Sequence, residues 1–422
     1  MPDSERPDVF RRATVRQCAV LVGGLGTRLG QLTADTPKPL LPVGDRPFLA
    51  WLLREITRFG VEEIVLLTGH LSERVEQALA GLAALLPRPV RIVLSREPVR
   101  AGTGGALRHA RHLLDERFLL CNGDSLLDFN LSSLLADACA DGPDVVGRIV
   151  VRPVEDASRY GVVALEGDRV TAFHERPAAA GGPAPGLINA GIYLFDRRLL
   201  DDVAEVCSLE RDVLPVLAAR GVLRATRGAG YFIDIGVPED LARAQHELPA
   251  RCRRPALLLD RDGTLNIDHG WVGTRERFEW VEGAREAVAM ATARGWHVFV
   301  VTNQSGIARG LYDEAALLAL HAWMADAVRA AGGTIDDIRY CPFHPEAPLA
   351  DWRRDSDWRK PAPGMILDLL QAWGLDPARC VLVGDRPTDM AAAEAAGIAG
   401  RRFPGGNLAA FVAPLLAHAA DQ

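Results

Sequence analysis

Residues 256–264 read ALLLDRDGT, an apolar run that ends in two aspartates and then turns at Gly-Thr. An unbroken apolar run is typical of a strand that is buried on both faces of a parallel sheet. The runs HVFVVTN (297–303) and CVLVGD (380–385) have the same form, and each ends in a polar residue. Helical patterns separate these runs near 283–294, 313–331 and 363–373. The alternation predicts a doubly wound α/β domain over residues 256–422.

The first half of the chain shows the same alternation and predicts a second doubly wound α/β domain over residues 16–248. Its apolar runs lie at 18–24, 63–69, 90–95, 118–124 and 145–153, with amphipathic segments such as 47–59, 72–85 and 103–116 between them. Two domains also agree with the length of 422 residues, because one core rarely exceeds about 300 residues. We expect a linker at 249–255, which is basic and non-periodic, and a flexible tail at 1–15.

The composition indicates a folded cytoplasmic protein and leaves small anionic substrates possible. The apolar fraction is 48% and the net charge is −7, and an acidic balance argues against a general nucleic-acid binder. The seven cysteines form no CxxC pair and are odd in number, which favours a reduced, cytosolic protein. Neither a signal-peptide pattern nor a membrane-spanning apolar stretch is present, so we expect no membrane partner. The oligomeric state stays open.

Two features of the first half suggest phosphate chemistry. Residues 23–29 read GGLGTRL, and a glycine-rich turn lets backbone N–H groups approach phosphates. The turn has neither the dinucleotide-binding nor the P-loop spacing, and taken alone a structural turn explains it equally well. Prolines on both sides of Lys38 restrict the backbone there, which would aim the lysine at a phosphate. Asp124, at the end of an apolar run, could be a metal ligand or a turn residue.

These motifs, GGLGTRLG followed by PKPLLPVGDRPFL, resemble the signature of the sugar-phosphate nucleotidyltransferases. The resemblance covers roughly 16–247 and continues in order through GTGGAL (102–107), LLCNGDSLL (119–127), FHERP (173–177), INAGIYLF (188–195) and FIDIGVPEDL (232–241). Within that family the motifs look most like those of the D-glycero-D-manno-heptose 1-phosphate guanylyltransferases. The resemblance implies a Rossmann-like mixed sheet and transfer of a nucleotidyl group to a sugar 1-phosphate, with release of pyrophosphate.

The resemblance also implies roles for individual residues of the first half. The triphosphate would be held by Gly23, Gly24, Gly26, Thr27 and Arg28, with Lys38 neutralising the reacting phosphates. Mg²⁺ would be held by Asp124 and Asp234, because this cation prefers carboxylates and substrate oxygens. The base would lie near Gly102, Thr103, Gly104 and Gly105, and the sugar would contact Glu175, Arg176, Asn189 and Gly191. Arg176 departs from the family, which often has lysine there, although arginine also binds phosphate well.

In the second half, the chemistry centres on Asp260 and Asp262. Two carboxylates at one strand end repel each other unless a cation lies with them. A nucleophile beside an acid/base group is what two-step phosphoryl transfer requires. An EF-hand is excluded because its loop pattern does not follow, and a purely structural turn is the remaining alternative.

The second half resembles the haloacid dehalogenase (HAD) superfamily of phosphatases over about 255–405, in its form without a large cap. The resemblance implies that Asp260 is the nucleophile, that Asp262 is the acid/base, and that Thr302 and Lys360 bind the phosphoryl group. Mg²⁺ would be held by Asp260, the Asp262 carbonyl and Asp385, whereas Asp389 would orient Lys360.

The segments DRDGTLNIDHGWV, TNQSGIARG and RKPAPGM look like those of the D-glycero-D-manno-heptose 1,7-bisphosphate 7-phosphatases. The implied substrate contacts are Asp268, His269, Gly270, Trp271, Thr302, Asn303, Gln304, Ser305, Arg359 and Arg386. That family often binds zinc through Cys and His in a loop before Arg-Lys-Pro. Here Cys341 matches the pattern, but His344 is one position away. We therefore predict no zinc and expect Trp352 and Trp358 to hold the loop by packing.

Together the two halves predict a bifunctional enzyme that uses Mg²⁺ in both domains. A heptose 1,7-bisphosphate would lose its 7-phosphate, and the resulting 1-phosphate would react with a nucleoside triphosphate. The resemblance favours GTP, with ATP as the alternative. Two other hypotheses remain open: that the fusion acts on another sugar phosphate, and that the first domain is a non-catalytic regulatory module beside an active phosphatase.

Overall fold

A computed structural model describes residues 15–174, 184–201 and 203–418. It divides the chain into two compact units, of which one spans Val15–Cys252 and the other begins at Arg253. Three predictions fall outside the described residues: the tail at 1–14, Glu175 and Arg176. The two units are described separately below.

Over its described residues, the N-terminal unit is built on one nine-stranded sheet and two small two-stranded sheets. Its strands are β1 (Gln17–Leu21), β2 (Pro42–Val43), β3 (Arg46–Pro47), β4 (Glu63–Thr68), β5 (Arg91–Arg96), β6 (Arg117–Asn122), β7 (Ser125–Leu127), β8 (Gly147–Val154), β9 (Val162–Glu166), β10 (Arg169–His174), β11 (Gly186–Asp196), β12 (Leu223–Arg227) and β13 (Phe232–Asp234). Its α-helices are α1 (Phe48–Thr57), α2 (Ser72–Ala84), α3 (Gly102–His109), α4 (Leu131–Cys139), α5 (Leu214–Ala219) and α6 (Pro238–Arg251).

The large sheet has the order β5-β4-β1-β6-β11-β8-β12-β10-β9. The pairs β5–β4, β4–β1 and β1–β6 are parallel, whereas β11 runs antiparallel to both β6 and β8, so the sheet is mixed. In β1, Cys18 and Val20 pack into one hydrophobic cluster and Ala19 into another, one on each face. Helices cover both faces, which confirms the predicted doubly wound α/β fold.

The structure corrects the predicted end of this unit. Helix α6 continues to Arg251, so the first three residues of the segment predicted as a linker, 249–255, are helical. The helix continues because apolar residues keep helical spacing among the basic residues of this segment. Leu248 and Cys252 are four residues apart and both are buried in one cluster with Trp51.

Over its described residues, the C-terminal unit contains one five-stranded sheet. Its strands are β14 (Ala256–Leu259), β15 (His297–Asn303), β16 (Asp337–Cys341), β17 (Cys380–Gly384) and β18 (Ala399–Arg402). Its α-helices are α7 (Ala284–Ala293), α8 (Glu314–Ala330), α9 (Gly364–Trp373), α10 (Pro387–Ala395) and α11 (Leu408–His418).

All neighbouring strands of this sheet are parallel, in the order β16-β15-β14-β17-β18. Leu257 and Leu259 pack into one cluster and Leu258 into another, so β14 is buried on both faces as its unbroken apolar run predicts. Because β14 is central, the two aspartates that follow it lie between the ends of β15 and β17. Among the described residues, no helix is both long and apolar enough to span a bilayer.

Candidate active sites

In the N-terminal unit, one lysine lies between the two predicted metal-binding carboxylates. Lys38 begins a short 3₁₀ helix directly after Pro37, and its Nζ is 2.6 Å from Oδ2 of Asp124 and 3.4 Å from Oδ1 of Asp234. The two aspartates are far apart in sequence but adjacent in space, because β7 and β13 pair with Asp234 opposite Ser125. The pairing therefore assembles the predicted Lys38, Asp124 and Asp234 into one cluster.

The pKa values of the two aspartates in this cluster shift in opposite directions. Burial opposes the charge of Asp124, but the nearby Lys38 ammonium outweighs burial and lowers the pKa of Asp124. The pKa of Asp234 is raised instead, first by burial and then by the charge of Asp124. One lysine is thus shared by two half-buried carboxylates, and it lies closer to Asp124 than to Asp234.

A cavity of about 220 Å³ opens beside this cluster. It is lined by six of the predicted residues: Gly23, Gly24, Lys38, Gly102, Thr103 and Asp124. Because Gly23 and Gly24 follow β1 and Asp124 follows β6, the cavity lies at the carboxyl ends of adjacent parallel strands.

Other predicted residues of this unit lie off the cavity lining. Gly26 begins a 3₁₀ helix in the left-handed region, and the next two residues, Thr27 and Arg28, are exposed. Gly104 and Gly105 are buried inside α3. In β11, the amide of Asn189 donates to the hydroxyl of Tyr193 at 2.6 Å, and Gly191 packs against Asn122.

The cavity also contains polar residues that the sequence reading missed: Glu97, Arg100, Asn122 and Glu210. Glu97 follows the edge strand β5, where its backbone N–H donates to the carbonyl of Thr68 at 3.0 Å and its carboxylate accepts from the N–H of Ala101 at 3.1 Å. Asn122 ends β6, two residues before Asp124. Its position at a strand end was a usable signal, whereas Glu210 lies in a segment without strand periodicity.

In the C-terminal unit, a fully buried lysine again lies between two carboxylates. The Nζ of Lys360 is 2.8 Å from Oδ1 of Asp260 and 2.7 Å from Oδ1 of Asp389, and it donates to the carbonyl of Val301. Two reciprocal hydrogen bonds of 3.0 Å between Asn303 and the backbone of Lys360 hold the lysine beside the end of β15.

Burial dominates the electrostatics of this cluster. It raises the pKa of Asp260 to about 7, although Lys360 acts in the opposite direction. Burial also opposes the charge of Lys360, but Asp260 and Asp389 outweigh it and raise the lysine pKa. An anion placed here would meet the ammonium group of a buried lysine.

Asp262 is fixed by a network of donors. Both of its carboxylate oxygens accept from Nη2 of Arg261 at 2.9 Å, and the side-chain amides of Gln304 and Asn266 donate at 2.8 and 3.1 Å. Arg261 is fully buried, and its Nη1 lies 3.3 Å from Nε2 of His321. Since a guanidinium can only donate, His321 must accept, and it is therefore neutral.

A cavity of about 530 Å³ surrounds Asp260 and Asp262. Its other predicted lining residues are Asp268, Gly270, Trp271, Thr302, Asn303, Gln304, Ser305, Arg359, Lys360 and Arg386. The lining also contains Arg309, Tyr312, His344, Thr388 and Asp389, of which Arg309, Tyr312 and Thr388 were not predicted from the sequence. Two predicted residues are not on the lining: Asp385, and His269, whose exposed ring bonds Glu279 at 2.9 Å.

The residues of this unit fit a divalent cation. Asp260, Asp385 and Asp389 offer ligand atoms that all lie within 4.8 Å of one another, the one such group of three among the described residues. Oδ1 of Asp385 is buried and has no hydrogen-bond partner there, so a cation would satisfy it. In the loop that precedes Arg359, the side chain of Cys341 is buried. The ring of Phe343 packs there against Trp352 and the guanidinium of Arg354.

Comparison with known proteins places each unit in a family. Residues 18–251, more than half of the chain, match the family model described as nucleotidyl transferase, and residues 357–404 match the model described as HAD-hydrolase-like. The chain is 48% identical over 164 residues to the D-glycero-beta-D-manno-heptose-1,7-bisphosphate 7-phosphatase of Rhodopseudomonas palustris, an alignment that covers 39% of this chain and 91% of that protein.

Two further relatives match the N-terminal unit. The mannose-1-phosphate guanylyltransferase catalytic subunit beta of Danio rerio is 36% identical over 227 residues, which are 52% of this chain and 61% of that protein. The crystal structure of HddC from Yersinia pseudotuberculosis is 28% identical and covers 55% of this chain and 99% of that chain, with a TM-score of 0.49.

The chain thus belongs to the nucleotidyl transferase family through its N-terminal unit and to the HAD-like phosphatases through its C-terminal unit. It is a fusion of a nucleotidyltransferase with a phosphatase.

The buried His321 predicts a pH dependence of stability. Burial, and then the charge of Arg261, lower its pKa to about 3, whereas an unfolded histidine titrates near 6.5. Between these values only the unfolded state binds the proton, so the contribution is full above pH 6.5 and declines as pH falls towards 3. From pH 7.5 to 5.5 we expect His321 to remove about 1.4 kcal/mol from the free energy of unfolding.

The measurement is urea unfolding followed by tryptophan fluorescence, which reports the C-terminal unit because seven of the eight tryptophans follow residue 252. The variant His321→Gln should lose about 1.4 kcal/mol less than the wild type over this pH interval. The exposed His269→Gln is the control and should behave as the wild type. Equal losses in all three proteins would contradict the prediction.

Proposed function

We propose that the chain converts D-glycero-D-manno-heptose 1,7-bisphosphate to a nucleotide-activated heptose in two reactions. The C-terminal unit removes the 7-phosphate, and the N-terminal unit transfers a nucleotidyl group, from GTP, to the heptose 1-phosphate. The observation that carries the proposal is that each unit places a lysine among carboxylates at strand ends beside its own cavity. The reaction order is the reverse of the order of the units along the chain.

In the phosphatase reaction, Asp260 attacks the phosphorus of the 7-phosphate, and the bond from phosphorus to the sugar oxygen breaks. Asp262 gives its proton to that leaving oxygen and then takes a proton from the water that attacks the aspartyl-phosphate. Inorganic phosphate leaves and both aspartates are restored. The buried Lys360, 2.8 Å from Asp260, offsets the negative charge that the phosphoryl group brings.

Mg²⁺, when bound, would neutralise charge shared by a carboxylate and a phosphoryl group. In this unit Asp260 and Asp385 would hold it, with the Asp262 carbonyl; Asp389 also faces this position but is bonded to Lys360. In the N-terminal unit the corresponding residues would be Asp124 and Asp234, and Lys38, which now bonds both of them, would contribute its positive charge to the phosphates.

The phosphatase cavity supports a substrate with two phosphates. Besides Lys360, three arginines line it: Arg309, Arg359 and Arg386. The guanidinium of Arg309 also lies 5.5 Å above the exposed ring of Trp271. Cations beyond those needed at the reacting phosphate suit a second anionic group, and the ring offers an apolar face to a sugar.

In the transferase reaction, an oxygen of the sugar 1-phosphate attacks the α-phosphorus of the nucleoside triphosphate, and pyrophosphate leaves. Placing several phosphates together and offsetting their charge is the main requirement. Gly23 and Gly24 offer backbone N–H groups, and Lys38 offers an ammonium group, on one cavity wall. The presence of Lys38, Asp124 and Asp234 in one cluster supports catalysis over a purely regulatory role.

The choice of GTP is supported by Glu97, which lies on the lining of that cavity. Guanine presents two adjacent N–H donors, at N1 and N2, which a carboxylate can accept together. Adenine presents an acceptor at N1 instead, so it would meet this carboxylate unfavourably.

Separate sites predict that each reaction can be lost alone. The variant Asp260→Asn should lower phosphate release from heptose 1,7-bisphosphate by at least about 10³-fold, because its nucleophile is gone. It should still form the nucleotide-sugar from supplied heptose 1-phosphate. Lys38→Ala should lower nucleotide-sugar formation by about 10²-fold or more and leave phosphate release unchanged. Mass spectrometry of phosphate, pyrophosphate and nucleotide-sugar checks both variants; loss of both reactions in either folded variant would refute the two-site proposal.

The base preference predicts the effect of Glu97→Gln. Replacing the carboxylate by an amide removes one acceptor, so the ratio of kcat/KM for GTP to that for ATP should fall by about 10-fold or more. The exposed Glu76→Gln on α2 is the matched control and should keep the wild-type ratio. A wild-type preference for ATP, or an unchanged ratio in Glu97→Gln, would refute the role of Glu97.

A further inference from the structure

We propose that Glu210 binds the sugar substrate in the N-terminal unit. Its carboxylate accepts hydrogen bonds from one or two hydroxyl groups of the sugar 1-phosphate. The inference rests on the proposed nucleotidyl transfer and adds the residue that selects its acceptor. Glu210 lies in a single π-helical turn, Leu209–Val213, and lines the same cavity as Lys38 and Asp124.

The carboxylate of Glu210 is held in one orientation. Its Oε2 accepts from the hydroxyl of Thr103 at 2.7 Å and from the hydroxyl of Ser208 at 3.0 Å. The Thr103 hydroxyl in turn accepts from the N–H of Leu209 at 2.8 Å, which joins the start of α3 to the turn that carries Glu210. Two neutral donors therefore fix one oxygen of the carboxylate.

The other oxygen, Oε1, has no hydrogen-bond donor among the residues that the structure describes, and Glu210 forms no ion pair with them. A carboxylate without a cationic partner repels phosphate groups, so the phosphates of the substrates will not lie here. Neutral hydroxyl donors are the ligands that suit it, and a sugar presents several of them on adjacent carbons.

Glu97 and Glu210 are separate carboxylates that both contact the start of α3. The carboxylate of Glu97 accepts from the N–H of Ala101, and that of Glu210 accepts from the hydroxyl of Thr103. The proposed function assigns the guanine base to Glu97, so the sugar is the remaining partner with neutral donors that Glu210 can contact.

Asn122 is a second polar group on the lining of this cavity. Its side-chain amide makes no hydrogen bond among the described residues, and its Oδ1 is buried. The amide packs against Gly191, whose φ is 73°. A Cβ at position 191 would lie only 2.8 Å from Nδ2 of Asn122. An unpartnered amide costs free energy that a sugar hydroxyl in the cavity would recover.

The test uses the full-length protein with GTP, Mg²⁺, mannose 1-phosphate and its 2-, 3- and 4-deoxy analogues. In Glu210→Gln, which keeps the bonds from Thr103 and Ser208, KM for mannose 1-phosphate should rise by about 10- to 100-fold, because a bond to a charged acceptor is lost. KM for GTP should stay within about twofold. The exposed Glu205→Gln is the matched control and should leave both values unchanged.

The deoxy analogues distinguish contact from a structural effect. In the wild type at least one of them should lose about 10- to 100-fold in kcat/KM. In Glu210→Ala, the same analogue and mannose 1-phosphate should have equal kcat/KM, because the carboxylate that contacts this hydroxyl is absent. Unchanged discrimination in Glu210→Ala, or a rise in KM for GTP alone, would overturn the inference.

Binding of mannose 1-phosphate and the same analogues, measured by calorimetry, tests the sugar contact independently of the proposed reaction. A wild type that forms no nucleotide-sugar from heptose 1-phosphate, GTP and Mg²⁺ refutes the proposed transfer. Weaker binding of mannose 1-phosphate by Glu210→Gln, by about 10-fold or more, supports the sugar contact in either case. Equal binding by wild type and variant refutes it.

Discussion

A lysine ammonium group shared by two carboxylates is the interaction on which both units depend. In the N-terminal unit Lys38 lies between Asp124 and Asp234, and in the C-terminal unit Lys360 lies between Asp260 and Asp389. Two carboxylates this close repel each other, and burial raises the cost of their charges. A single lysine lowers that cost without removing it. Such a cluster suits a cation and, with the cation, an anionic substrate.

The fold explains why these clusters form. Parallel strands bring their carboxyl ends to one edge of a sheet, and the residues that follow β1, β6, β14, β15 and β17 meet there. The strands themselves are buried on both faces and cannot move without disturbing two hydrophobic clusters. The charged groups are therefore held by rigid elements, whereas the surrounding loops carry the residues that recognise the substrates. The same arrangement in two unrelated sheets gives two different reactions.

The sequence predicted the strands that have unbroken apolar runs ending in polar residues, because such runs are a direct consequence of burial in a parallel sheet. These are β1, β4, β5, β6, β8, β14, β15 and β17, whereas the other strands were not predicted. It also predicted Asp260 and Lys360 from motifs. It could not place Glu97 or Glu210, since their positions depend on which loops meet above the sheet. The predicted contact of Arg28 with the triphosphate stays a prediction: Arg28 lies in the 3₁₀ helix that follows the left-handed Gly26, and its side chain is exposed. Local sequence fixes strand ends, whereas loop contacts depend on tertiary packing.

The most direct test of the account is ³¹P NMR of the wild-type protein with heptose 1,7-bisphosphate, GTP and Mg²⁺ in one sample. This measurement resolves each phosphorus at its own position. We expect the 7-phosphate signal to disappear as inorganic phosphate appears, followed by pyrophosphate and a nucleotide-sugar in equal amounts. A nucleotide-sugar that still carries the 7-phosphate, or loss of the 1-phosphate in place of the 7-phosphate, would contradict the account.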